Sequence, residues 1–343
     1  MVVLKNEEAL LPEYLPKFLP HRENQIKELA QNLLPAVKRK KPQNTFIFGP
    51  PGIGKTAVVK FVFREFEEYS AKVKTVYINC WDYKTPYANL SKAAIEMGIF
   101  VPRRGWGKDE ILEKIIEWLR KSKKGLIVCL DEVDQLNEEV IYDWLRLNQY
   151  AENPIGIVFV SNYKDVFVSK EPRIRSSLAI DEIEFKPYKL NEMIDILKER
   201  AKLAFTNFEN AAVLLAANHA VQNGGDVRIG LECLLRAGRI AEREKAKKLE
   251  VKHVKNVLKK VKAIKPKLIE EKLSEIEKAI IKAIKIRPLT SGELYEKITK
   301  EGIKISERKF RDYVNNLAER KLIKIEEQRF GRKGYTRIIS KFK

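Results

Sequence analysis

The sequence predicts an α/β fold: a parallel sheet covered by helices, then a helical domain, then a smaller domain of helices and a β-hairpin. Three observations carry this. Between residues 46 and 185, short apolar runs alternate with amphipathic stretches, the pattern of buried parallel strands joined by crossover helices. From Leu190 the strands stop and helical periodicity takes over. From about Glu270 a third pattern begins, helices followed by two glycine-punctuated strands. At 343 residues, two or three domains are expected on a prior of about 150 residues each. The boundaries read as 1–187, 188–265 and 266–343, with Lys265-Pro-Lys267 as the last linker.

At the N-terminus, Leu10 to Pro20 is too proline-rich for a helix and too apolar to float free, so it should pack against something. A helix is expected from His21 to Val37, with Ile26, Leu29, Leu33 and Leu34 on one face. Lys38 to Lys41 form a basic turn, more readily a solvated loop than a DNA contact. The first strand then runs into Gly49-Pro-Pro-Gly-Ile-Gly-Lys-Thr56. This is the G-x-x-x-x-G-K-T phosphate loop: Gly49, Gly52 and Gly54 let successive backbone N–H groups face an anion, and Pro50 and Pro51 stiffen the turn. Lys55 supplies charge for the β- and γ-phosphates and Thr56 a hydroxyl for Mg²⁺, while the helix beginning there aims its positive end at the ligand. Gly49, Pro50, Pro51, Gly52, Ile53, Gly54, Lys55, Thr56 and Ala57 are therefore the candidate ATP/ADP-binding residues.

Beyond the loop, Val58, Val59, Val62, Phe63 and Phe66 line one helix face. Strands are expected at Thr75–Asn79, Gly125–Leu130, Gly156–Ser161 and Ala179–Phe185, and helices at Asp109–Arg120 and Glu138–Tyr150. The helical domain should comprise Asn191–Phe205, Glu209–Gln222, Asp226–Glu244 and Val251–Ala263. The strand ending Leu130-Asp131-Glu132 sets two carboxylates at the C-terminal edge of the sheet, where open α/β sheets bind ligands. It matches a Walker B element: Asp131 would hold Mg²⁺ through its water shell and Glu132 would polarise an attacking water. Asn162, at the end of another strand, is a candidate water-positioning residue; its alternative is an Asn that merely turns the chain.

Composition narrows the partners. The 67 Lys+Arg against 47 Asp+Glu leave a net charge of +20, which suits a polyanion. A thermophile's surface would enrich both signs, whereas this excess is one-sided. No apolar run approaches the roughly 18 residues needed to span a bilayer and no secretory signal is evident, so a cytoplasmic, nucleoid-associated protein with no membrane partner is expected. Cys80, Cys129 and Cys233 have no C-x-x-C spacing and read as small buried hydrophobes, and His21, His219 and His253 are scattered.

The order of motifs resembles an AAA+ ATPase, and more narrowly the archaeal replication initiators related to the eukaryotic origin-recognition complex and its cell-division-cycle loading partner. The resemblance spans almost the whole chain: His21-Arg-Glu23, the Gly49–Thr56 loop, Tyr77-Ile-Asn79, Leu130-Asp-Glu-Val-Asp134, Val160-Ser-Asn162, Pro172-Arg-Ile-Arg-Ser-Ser177, Gly225-Asp-Val-Arg228 and a winged-helix tail. It implies an AAA+ P-loop domain, a helical lid and a C-terminal winged helix. It implies that Arg228 is a second sensor reaching from the lid to the γ-phosphate. It implies a trans-acting arginine finger at Arg173 or Arg175, although the Ser-Arg position of many relatives reads Ser176-Ser177 here. It further implies that the Trp81–Lys108 insertion, with Arg103 and Arg104 beside Trp106, touches DNA.

The tail supports a nucleic-acid reading from its own residues. Thr290-Ser-Gly-Glu293 forms a capping box, and Ser306 caps a helix in which Phe310, Tyr313, Val314 and Leu317 share a face. Arg308, Arg311, Asn315 and Asn316 therefore face outward, as on a recognition helix. Gln328 to Gly334 joins two strands through a basic tip, so that Arg329, Arg332 and Lys333 sit at a wing. Winged helices also bind proteins.

The expected function is an ATP-dependent replication initiator, a slow ATPase used as a switch. Its expected partners are double-stranded origin DNA, the replicative helicase and paralogous initiators on DNA. The alternatives are a nucleotide-bound winged-helix regulator without significant turnover, and a signalling or clamp-loader-like AAA+ NTPase.

Overall fold

The computed structural model describes residues 2–341 apart from 103–104, 152–154, 169, 171–176, 262–273, 285–287, 301, 304, 320–322 and 330–334. The chain divides into two compact units, Met1–Val257 and Leu258–Lys343.

The first unit opens with the proline-rich stretch, which does pack. Ala9 and Leu10 are buried, and the Arg200 guanidinium donates to the carbonyls of Ala9, Leu11 and Tyr14, pinning the stretch to a helix of the helical half. Helix α1 (Glu23–Leu33) is shorter than its periodicity suggests, because Pro35 turns Leu34–Lys38 into a 3₁₀ segment and Leu34 points to solvent. Strand β1 (Asn44–Phe48) leads through the loop into α2 (Lys55–Tyr69), whose five predicted core positions are all buried. Strand β2 (Val73–Asn79) follows. The region after it contains a helix that periodicity had not resolved, α3 (Pro86–Glu96), capped by Thr85. Helix α4 (Lys108–Lys121), β3 (Gly125–Asp131), α5 (Glu138–Leu147), β4 (Ile155–Ser161) and β5 (Ile180–Glu184) complete the α/β part.

The five strands are ordered β2-β3-β4-β1-β5, every pair parallel. β3 and β4 are buried at every position, as strands covered on both faces must be. Phe46, Phe159 and Phe167 meet edge to face beneath the sheet, and Trp144 donates to Asn89 at 2.8 Å, tying α5 to α3. Among the described residues, the helices α6 (Leu190–Ala204), α7 (Asn210–Gln222), α8 (Val227–Arg243) and α9 (Val251–Val261) follow. All three cysteines are buried.

The second unit holds α10 (Glu275–Ile284), β6 (Leu289–Thr290), α11 (Ser291–Lys300), α12 (Glu307–Glu319), β7 (Ile323–Arg329) and β8 (Tyr335–Lys341). Its antiparallel sheet runs β6-β8-β7, one short strand more than the hairpin expected. Ile280, Leu294, Ile298, Phe310, Val314, Leu317, Ile323 and Ile339 form its core. Among the described residues, these three helices and this small sheet make a winged helix.

Candidate functional site

Register brings the site together. Phe48 pairs with Ser161 and Asp131 with Val160, so the turns after β1, β3 and β4 emerge side by side at the C-terminal edge of the sheet. There the chain has jumped from β1 to a neighbour formed much later, which opens a crevice for a ligand.

The phosphate loop occupies that crevice. At Gly49 (φ +147°) an added Cβ would lie 2.2 Å from the Phe185 carbonyl oxygen, and at Gly52 (φ +73°) 1.9 Å from an Asp226 carboxylate oxygen, so only glycine fits at either position. Lys55 is buried, and its ammonium donates to the carbonyls of Gly49 and Pro50, both at 2.7 Å, and to Asn162 Oδ1 at 2.9 Å. Burial pushes the Lys55 pKa down to about 8, against the opposing pull of Asp131 and Glu132. A desolvated ammonium at the N-terminus of α2, within a glycine cradle, has the chemistry of a phosphate site.

Thr56 and Asp131, the two residues expected at the metal, are in contact: Thr56 Oγ1 donates to Asp131 Oδ2 at 2.6 Å. One hydroxyl and one carboxylate at the phosphate end of the loop suit Mg²⁺, which keeps most of its waters and takes few protein ligands. Glu132 adopts a left-handed conformation (φ +59°), and its N–H is held by Asp131 Oδ1 at 2.9 Å. Burial, then the charges of Asp131 and Asp134, push the Glu132 pKa up, which favours a proton acceptor over a fixed anion. Asn162 lies between the two chemistries. Its oxygen accepts from Lys55, and its amide faces Glu132 Oε2 at 3.5 Å, so this network fixes the amide orientation.

The helical half closes one side. Val227 N donates to the Gly52 carbonyl at 2.9 Å, docking the start of α8 directly on the loop. Arg228 stands one residue further, near enough to feel Glu132, and forks onto Asp226 through Nε (3.0 Å) and Nη2 (2.8 Å).

Three neighbours stand within motifs quoted for the resemblance, but the sequence reading assigns them no role. Arg22 is buried, donates to the carbonyls of Ile53 and Lys186, and stacks 3.8 Å from the Tyr188 ring centroid, stapling the loop to the joint between sheet and helices. Tyr77 donates to Asp131 Oδ2 at 2.7 Å and shares that oxygen with Thr56. Asp134 accepts from Ser161 Oγ at 2.7 Å and steadies the β3 and β4 ends against each other. The available signal was a polar tip on a half-buried strand: a tyrosine beside the Walker B strand needs a partner for its hydroxyl.

On the winged helix, α12 buries Phe310, Val314 and Leu317 and leaves Arg308, Arg311, Asn315 and Asn316 exposed, as its spacing predicts. Arg311 pairs with Glu307 at 3.3 Å, and Asn315 accepts from Arg337 of β8 at 3.4 Å. Arg329 ends β7 in the backbone trace. Arg103, Arg104, Arg173, Arg175, Arg332 and Lys333 lie outside the described residues.

Residues 38–166 match the AAA domain and residues 194–259 the Cdc6 AAA+ ATPase-type lid domain. An ORC1-type DNA replication protein 1 of Sulfurisphaera tokodaii is 34% identical, the alignment covering 98% of this chain and 90% of the relative. The ORC1-type DNA replication protein of Pyrococcus abyssi is also 34% identical, over 98% of this chain and 87% of its own. Among solved structures, the Aeropyrum pernix ORC1 protein in complex with DNA superposes with a TM-score of 0.74 at 30% identity, over 99% of this chain and 94% of that one. Cdc6p of Pyrobaculum aerophilum shares the fold, with a TM-score of 0.69 at 24% identity. Because the likeness runs nearly end to end instead of stopping with the nucleotide loop, the chain belongs to the family of archaeal ORC1-type DNA replication proteins.

Proposed function

We propose that this chain is an ATP-dependent replication initiator that binds double-stranded origin DNA, with bound nucleotide as a switch, and that it helps recruit the replicative helicase. The observation that carries the reading is the near-full-length likeness to ORC1-type proteins, one of them solved on DNA. The exposed Arg/Asn face of α12 and the net charge of +20 support it.

In this reading the chain works as three modules, 1–187, 188–265 and 266–343. Gly49 to Ala57 hold the phosphates of ATP or ADP, Lys55 neutralises the β- and γ-oxygens, and Arg228 contacts the γ-phosphate. Thr56 and Asp131 hold Mg²⁺, which supplies charge stabilisation to the phosphoryl group when bound. Glu132 accepts the proton of the attacking water, and Asn162 orients that water while keeping Lys55 in place. Turnover is slow, and a neighbour's Arg173 or Arg175 would accelerate it. Arg308, Arg311 and Asn315 on the helix, Arg329, Arg332 and Lys333 on the wing, and Arg103 and Arg104 in the insertion meet the duplex. Paralogous initiators share the DNA, and the protein works in the cytoplasm on the nucleoid.

Mapping chromosomal occupancy of the protein through the cell cycle tests the reading. Enrichment at replication origins is expected; occupancy confined to promoters would replace it with a nucleotide-bound transcriptional regulator.

A further inference from the structure

The most unusual contact at the nucleotide site is an acid on a loop built for anions. Asp226 lies so close to Gly52 that a methyl group there would overlap its carboxylate, while the next residue, Val227, bonds to the Gly52 carbonyl at 2.9 Å. A carboxylate in that position opposes a polyphosphate unless something offsets its charge. Arg228 does so: its Nε lies 3.0 Å from Asp226 Oδ1 and 3.3 Å from Oδ2, and its Nη2 lies 2.8 Å from Oδ2. The same Oδ1 accepts the Arg228 backbone N–H at 2.9 Å, so Asp226 also caps α8. The carboxylate is therefore held twice, by the helix N-terminus and by the guanidinium, and it lies against Gly52 of the loop.

We propose that Asp226 is a positioning residue for Arg228, and that this fork sets how strongly the protein prefers ATP to ADP. The inference rests on the reading of Arg228 as the γ-phosphate contact. A guanidinium presents two planar edges. Asp226 takes the Nε/Nη2 edge, which leaves Nη1 and the second Nη2 proton for an incoming oxygen. Held this way, the half-exposed arginine has already given up much of its rotamer freedom, so the γ-phosphate meets an ordered donor. The β-phosphate is served by the loop amides and Lys55, so the fork affects ATP more than ADP.

The test uses the full chain with Mg²⁺ and measures dissociation constants for fluorescent ADP and for the β,γ-imido analogue of ATP. Asp226→Asn keeps a good helix cap and removes the charged fork. It is expected to lower the preference for the triphosphate about fivefold, the scale of a lost charge-assisted hydrogen bond partly offset by the removed negative charge. Arg228→Ala should lower it at least as far, and adding Asp226→Asn to Arg228→Ala should lower it no further, because without the guanidinium only the relief of the carboxylate's charge remains. An unchanged or increased preference in Asp226→Asn, with Arg228→Ala still reducing it, overturns the positioning role alone. An unchanged preference in Arg228→Ala overturns the reading beneath it. A purely structural role for Asp226 would lower the melting temperature and weaken both nucleotides equally, which also overturns the proposal.

Discussion

Each functional side chain at the nucleotide site is held by something other than a ligand. Asp131 receives Thr56 and Tyr77 on one oxygen and the Glu132 N–H on the other, so its plane is set by three donors. Burial keeps the Tyr77 hydroxyl protonated, so it remains a donor throughout the working pH range. Lys55 carries the main electrostatic consequence, because burial brings its pKa down to about 8. Phosphate oxygens favour the charged ammonium and raise that pKa on binding. The sign follows from which form binds: below about pH 8 the free protein already holds the proton and affinity is flat. Above it binding must take up a proton, and affinity falls by up to about tenfold per pH unit until the bound-state pKa is reached. Titrating ADP affinity between pH 6.5 and 9.5, conditions chosen to bracket that value, should show this break in wild type and none in Lys55→Met. A flat wild-type profile would show that Lys55 is not desolvated as the geometry implies.

At the scale of elements, what was legible in the sequence is what local patterning encodes. Strands β3 and β4 read as unbroken apolar runs because both their faces are covered. The apolar stripe of α12 read correctly because Phe310, Val314 and Leu317 recur at helical spacing. What stayed hidden depends on neighbours distant in sequence. Leu34 fits the α1 stripe by spacing, yet Pro35 ends that helix and turns Leu34 outward. α3 begins at Pro86 after a threonine cap, and a weak amphipathic pattern within an insertion does not announce a helix. Arg22 stands in the His21-Arg-Glu23 motif, but its role is hidden until the fold brings Ile53, Lys186 and Tyr188 around it. Thr56, Asp131 and Asn162 were legible because each follows or ends a strand, and parallel pairing then sets their ends in line. For α12, the outward Arg311 and Asn315 should contact bases or phosphates, and each is steadied by an intramolecular partner. Replacing both with Ala is expected to cost about 2–4 kcal/mol in duplex affinity and to flatten the salt dependence, measured by fluorescence anisotropy across a salt series. Unchanged affinity and slope would move the DNA interface off this helix.

At the scale of the whole molecule, the chain joins a nucleotide site whose lid helix rests on the phosphate loop with a winged helix that carries a basic, polar face. The proposed function requires that these two sites be thermodynamically coupled, so that ATP and ADP support different grips on DNA. Coupling of this kind is commonly worth about 1–3 kcal/mol and is reciprocal: whatever factor nucleotide imposes on DNA binding, DNA imposes on nucleotide binding. The direct measurement is the duplex-DNA affinity of Glu132→Ala, which should keep ATP unhydrolysed, compared between saturating ATP with Mg²⁺ and saturating ADP with Mg²⁺. At least about fivefold tighter binding with ATP is predicted. Affinities equal for the two nucleotides would contradict the account and leave the phosphate loop as a structural ligand site alone.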